Sequence, residues 1–207
     1  MNVETANHFF AFLSLGALAL AVAIPAMVLA ARREPDGAVA ALLDDLRPMA
    51  LWLAFSIAAV ATLGSLYYSE VENFTPCLLC WYQRIAMYPL AVILGIAAVR
   101  GDYGIKHYAI PIAAIGAAIA TYHYQLEVFP DQGSGVCDVA VPCTVRWFEV
   151  FGFVSLAFMA LTGFLAIIAL LSISRPRPLE EERDGSPDDI AAGTDAELDE
   201  RSAAVPT

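Results

Sequence analysis

Cys77-Leu-Leu-Cys80-Trp81-Tyr82-Gln83-Arg84 opens an apolar run that continues without another charge to residue 99. Two thiols stand at the mouth of the run. Arg84, one helical turn further in, is the only charged side chain within any apolar run of the chain. Both features carry a cost, because thiols are reactive and a charge in hydrocarbon is expensive. An ionisable residue inside a membrane segment points by default to function. The octapeptide therefore reads as a redox site at a membrane face, meeting a lipid-soluble electron acceptor.

Working outward, four more apolar runs appear, at residues 9–31, 49–69, 108–126 and 150–173. Each is near the roughly 20 residues that cross a bilayer as a helix. The composition agrees: 59% of the 207 residues are hydrophobic and 16% charged, against about 45–50% and about 25% in soluble domains. The fold class is an all-α polytopic membrane protein. The first run competes with a signal peptide cleaved near Val28-Leu-Ala, but it is longer than a signal core and residues 1–8 hold no Lys or Arg. A retained anchor is the expectation. Residues 38–47 form a short amphipathic segment between the first two runs.

The net charge of −11 is concentrated at one end, since residues 178–207 contribute −8 and the rest only −3. That Pro-, Asp-, Glu- and Ala-rich tail has no apolar face to bury and is expected to be disordered. No basic patch suited to nucleic acid is present. The expected organisation is an N-terminal transmembrane helix with its linker (1–48), a helical core (49–174) and an acidic tail (175–207).

Orientation follows from the Lys and Arg bias. Five spans put residues 32–48, 100–107 and 174–207 on one side, with nine of the eleven basic residues. That side is expected to be cytoplasmic in a multi-pass cell (inner) membrane protein. The N-terminus then lies outside and the C-terminus inside. Both cysteine pairs, Cys77/Cys80 and Cys137/Cys143, face outside, where disulfides persist.

A helix beginning near Cys80 would stabilise a thiolate there through its N-terminal N–H groups and dipole. Arg84, four residues on, shares that helix face and can support the thiolate or hydrogen-bond an oxygen of a ligand. Trp81, Tyr82 and Tyr88 fit an interfacial aromatic belt. The second pair, Cys137-Asp-Val-Ala-Val-Pro-Cys143, sits in a loop accessible to an incoming protein thiol, which suggests a relay from loop pair to inner pair to membrane acceptor. Purely structural disulfides, a Cys₄ zinc site and a thiol-based redox sensor remain as alternatives. Zinc leaves Arg84 unexplained, because a positive charge near a cation is unfavourable.

The run from Cys77 to Ile85, with Met87-Tyr88-Pro89 after it, resembles the DsbB family of disulfide bond formation proteins, in its BdbC-type branch. Val141-Pro142-Cys143-Thr144, then Trp147-Phe148-Glu149 and Phe151-Gly152-Phe153, resemble the same branch. The likeness spans roughly residues 49–173. It implies a DsbB-like four-helix bundle, here with one extra N-terminal transmembrane helix. The implied activity is reoxidation of a DsbA-like thioredoxin-fold thiol oxidase outside the cytoplasm, with electrons passed to a membrane quinone, ubiquinone or menaquinone. By motif position, Cys77 and Cys80 would form the quinone-coupled pair, with Cys80 nearest the quinone and Arg84 polarising it. Cys137 and Cys143 would be the pair attacked by the partner, through Cys137, and His123 would lie beside the quinone. No metal is implied.

Two features depart from the family pattern: the added first span and tail, and the short spacing of Cys137 and Cys143. A vitamin K epoxide reductase-like enzyme is the nearest rival, but its redox motif lies late in the chain and faces a Ser/Thr-containing loop. A partner as oxidising as DsbA, near −120 mV, needs an acceptor that drains electrons, which a respiratory quinone supplies.

Overall fold

The computed structural model describes residues 2–132, 137 and 141–176. The tail expected to be disordered lies outside the described residues. Among the described residues there are six α-helices: α1 (Val3–Arg33), α2 (Ala38–Leu46), α3 (Ala50–Leu66), α4 (Leu78–Arg100), α5 (Lys106–Val128) and α6 (Leu156–Ile173). All but α2 are long and apolar enough to cross a membrane, α3 when taken with its continuation to Val71 and α5 when taken from Tyr103. The protein is an all-α polytopic membrane protein.

The helix ends follow local chemistry. Helix α4 stops at Gly101, which adopts a left-handed conformation (φ 65°). Beyond it the Asp102 N–H returns to the Ala97 carbonyl at 2.9 Å, which closes the helix end around the left-handed glycine. Ser155 caps α6 by accepting the Phe158 N–H. The last apolar run promised a helix from residue 150, but α6 begins six residues later, at Leu156. Phe151 and Gly152 take positive φ, and Val150 bridges Val154. This tight reversal consumes the first turn of the expected helix.

Helices α3 to α6 form the bundle: α4 packs on α3 and α5, and α6 on α3 and α5. Small residues make close approach possible, as is usual where lipid removes the hydrophobic drive between helices. Ala50, Ala54 and Ala58 on α3, and Ala109, Ala113 and Ala120 on α5, are fully buried. At Gly116 the Phe164 ring of α6 comes so close that a Cβ would lie 2.4 Å from it. Helix α1 lies along α6 and contacts α2.

The two ends of the bundle differ. At one end, Lys106 donates to the Ser174 carbonyl and Tyr103 to the Pro48 carbonyl, both at 3.2 Å. At the other end, α3 continues as a π-helical turn (Tyr67–Val71). Phe74 then stacks between Tyr68 and Trp147, with centroids at 5.6 and 4.8 Å. The chain reversals there bring all four cysteines to that end.

Candidate active site

Helix α4 begins at Leu78, not at Cys80, and Cys77 is its N-cap with extended backbone (φ −72°, ψ 172°). The Cys80 N–H points to the Cys77 sulfur at 3.3 Å. The dipole effect that the sequence assigned to Cys80 therefore acts on Cys77. The two sulfurs stand 2.8 Å apart as thiols. The Cys80 thiol, hydrogen-bonded to Cys77, and His123 pull the Cys77 thiol down to about 4 against the opposing effect of burial. The helix N-cap and the imidazole both favour negative charge on Cys77.

Opposite Cys77, α5 presents His123, with Nε2 at 3.6 Å from the Cys77 sulfur. Gln83 Nε2 donates to His123 Nδ1 at 3.0 Å. A donor on Nδ1 leaves the ring hydrogen on Nε2, aimed at the sulfur. One turn along α5, Glu127 Oε1 lies 3.9 Å from the same Nε2. Ser155 donates to its other carboxylate oxygen, and Arg146 to its backbone carbonyl at 2.7 Å. His123 and Glu127 are 3% and 5% exposed, so water offers neither a competing partner.

Gln83 and Glu127 were not singled out from the sequence. The available signals were spacing: Glu127 follows His123 by one helical turn, and Gln83 lies three residues after Cys80. A small cavity of about 180 Å³ is lined by Cys77, Cys80, His123, Glu127 and, from the loop of the second pair, Val141 and Pro142.

A larger cleft of about 510 Å³ lies on the other side of Cys80. Its walls come from α1, α3, α4 and α6, and are mostly apolar. Ser65, Arg84 and Tyr88 supply polar groups. Arg84 Nη2 donates to the Ser65 carbonyl and Tyr88 to the Ser65 hydroxyl, both at 3.2 Å. The Arg84 guanidinium stands 5.3 Å from the Trp81 ring centroid and has no ion-pair partner among the described residues. Cys80 lines both cavities, Cys77 and His123 only the smaller one. The structure thus separates His123 from Arg84, two residues that the family resemblance puts beside one ligand.

Cys137 and Cys143 are joined as a disulfide. Cys143 is buried and Cys137 half-buried. Cys143 shares one apolar cluster with Cys77, with Cys80 and Cys137 packed against it. Both pairs therefore meet at one place, although they lie on different segments. The same disulfide removes two donors from any four-thiolate zinc site. Cys77, Cys80 and His123 still bring three donor atoms within 4.8 Å of one another.

Residues 47–174 match the family model described as "Disulfide bond formation protein DsbB". The chain is 50% identical over 119 residues to a "Probable disulfide formation protein C 1" of Bacillus cereus, covering 57% of this chain and 86% of the relative. It is 45% identical over 124 residues to the "Disulfide bond formation protein C" of Bacillus subtilis, covering 59% and 90%. A "Probable disulfide formation protein" of Chlamydia trachomatis is 41% identical over 133 residues, covering 64% and 97%. No solved structure matches the chain.

Proposed function

Because the chain belongs to the DsbB family of membrane proteins that form disulfide bonds, we propose that it reoxidises a DsbA-like thioredoxin-fold thiol oxidase and passes the electrons to a membrane quinone. The observation that carries this proposal is the position of Cys80. Cys80 lines at once the small cavity beside the loop pair and the apolar cleft that holds Arg84.

The cleft suits a quinone on its own chemistry. Its walls match an apolar ring and tail, while Arg84 and Tyr88 bring N–H and O–H donors to the cleft that Cys80 also lines. When bound there, ubiquinone or menaquinone supplies a two-electron, two-proton acceptor. The guanidinium never deprotonates and stabilises charge developing on a carbonyl oxygen. Cys80 is the sulfur on the acceptor side, and His123 acts through Cys77.

The partner's thiolate attacks Cys137, the more exposed member of the loop pair. The Cys137–Cys143 bond breaks, a mixed disulfide forms at Cys137, and Cys143 leaves as a thiolate. The partner's second thiol resolves the mixed disulfide, so the partner departs oxidised and the loop pair is left as a dithiol. That dithiol then reduces a Cys77–Cys80 disulfide, and the inner pair gives its two electrons to the quinone.

We take residues 49–174 as the redox core, with 1–48 and 175–207 as additions. The Lys and Arg distribution supports a cytoplasmic C-terminus and an outward cysteine end. An impermeant thiol reagent should then label the reduced cysteines in intact cells, and labelling only after lysis would reverse the orientation. A zinc-binding membrane protein is the second reading, favoured by the three clustered donors. One zinc per purified chain without quinone reduction would select it.

The relay is tested by trapping. A partner lacking its resolving cysteine should form a mixed disulfide with the wild type as the Cys137–Cys143 bond breaks, and peptide mapping should place the new bond at Cys137. A bond mapped to Cys143 would contradict the assignment.

A further inference from the structure

Helix α1 lies outside the segment that matches the family, residues 47–174, yet it forms a wall of the cleft beside Cys80. Its placement is anchored. Tyr68 donates to Asn7 at 2.8 Å, and the Phe10 ring sits so close to Gly64 that a Cβ there would come within 2.9 Å. These contacts join α1 to the α3 side at the cysteine end. From Phe10 to Leu20, α1 residues continue to line the cleft, a rise of about 15 Å along the helix.

The middle of this wall is small. Gly16 and Ala17 both face the cleft, and a Cβ added at Gly16 would meet no atom within 4 Å. Across the gap stand Ile57, Val60 and Ala61 of α3. Arg84, Tyr88 and Cys80 line the same cleft, so a ligand held by them has an apolar path along α1.

We propose that α1 is an added wall of the acceptor cleft, and that its small face at Gly16 and Ala17 seats the apolar tail of the acceptor. The proposal rests on the quinone assignment above. It makes α1 a determinant of which acceptor tails are used, a role the matched core does not contain.

The full-length chain in lipid nanodiscs tests this by quenching of tryptophan fluorescence, with a long-tailed membrane quinone and its tail-less analogue. Filling the open space with Gly16→Phe should weaken the long-tailed quinone by about tenfold and the tail-less one by less than about twofold. Retained tail-less binding also reports that the variant is folded. A photoreactive quinone carrying its label on the tail should mark the tryptic fragment that ends at Arg32. Unchanged affinity in Gly16→Phe, equal loss for both quinones, or labelling confined to other fragments would overturn the role of α1. A wild type that binds neither quinone would overturn the acceptor assignment itself, and this inference with it.

Discussion

The Cys77 sulfur lies 3.6 Å from Nε2 of His123, a residue 46 positions away on the neighbouring helix. Helix α4 starts where it does so that Cys77, as N-cap, receives the Cys80 N–H from one side. Helix α5 supplies the imidazole from the other. The pair is thereby asymmetric: Cys77 is held for thiolate chemistry, and Cys80 faces the apolar cleft.

This asymmetry predicts the pH dependence of the inner pair. The Cys77 thiol is lowered to about 4, chiefly by the Cys80 thiol and then by His123. An ordinary thiol titrates near 8.5. Stabilisation of the reduced fold by this thiolate is therefore complete above about pH 8.5 and lost as the pH falls through about 4. Between those limits reduction should add one proton per two electrons. The potential should then fall by about 30 mV per pH unit, where a two-proton dithiol falls by about 59 mV. Redox titration of a chain lacking Cys137 and Cys143 measures the slope, and a two-proton slope throughout would contradict the thiolate assignment.

His123→Ala should make the inner pair less oxidising. It removes a hydrogen bond to a charged sulfur, worth about 1.5–3 kcal/mol, or roughly 30–60 mV for a two-electron couple. Gln83→Leu should shift the potential in the same direction by less, since it frees the ring to change tautomer without removing it. Equilibration with glutathione buffers reads both shifts. An unchanged potential in His123→Ala would show that the imidazole does not serve Cys77.

Arg84→Gln should raise the KM for quinone and lower kcat/KM by about 10–100-fold, the worth of a charge-assisted hydrogen bond. Thermal stability should change little, because Arg84 gives the fold one hydrogen bond, to the Ser65 carbonyl. Lys should restore the charge but only part of the rate, lacking the planar fork. Steady-state kinetics beside a melting curve separates the two effects. Unchanged quinone kinetics would leave the buried charge without the role given to it here.

Packing is most exposed to test at Gly116. A side chain there meets the Phe164 ring, which is fully buried. Gly116→Val should cost about 1–3 kcal/mol or more through overpacking, read as a lower melting temperature in detergent. A neutral result would mean that α5 and α6 pack more loosely than described.

Much of this was legible in the sequence because lipid imposes long uncharged runs, and all five runs became helices. The motif around Cys77 and Arg84 announced the site for the same reason, since neither a thiol pair nor a buried charge is cheap there. What escaped was set by local backbone and by tertiary contact. The start of α4 at Leu78 puts Cys77, rather than Cys80, at the N-cap. The reversal at Phe151 and Gly152 shortened α6. Gln83 and Glu127 gained meaning only when α4 and α5 packed around His123. Spacing also could not show that α1 would line the cleft, because an apolar helix carries little sign of which face meets protein.

The most direct test of the central claim is anaerobic turnover of the purified chain with a reduced thioredoxin-fold donor and defined quinones. The account predicts one quinol formed per donor disulfide, and in Cys80→Ser no quinol and no donor oxidation beyond one equivalent per chain. Donor oxidation past that equivalent without quinone reduction, or turnover that survives in Cys80→Ser, would contradict it.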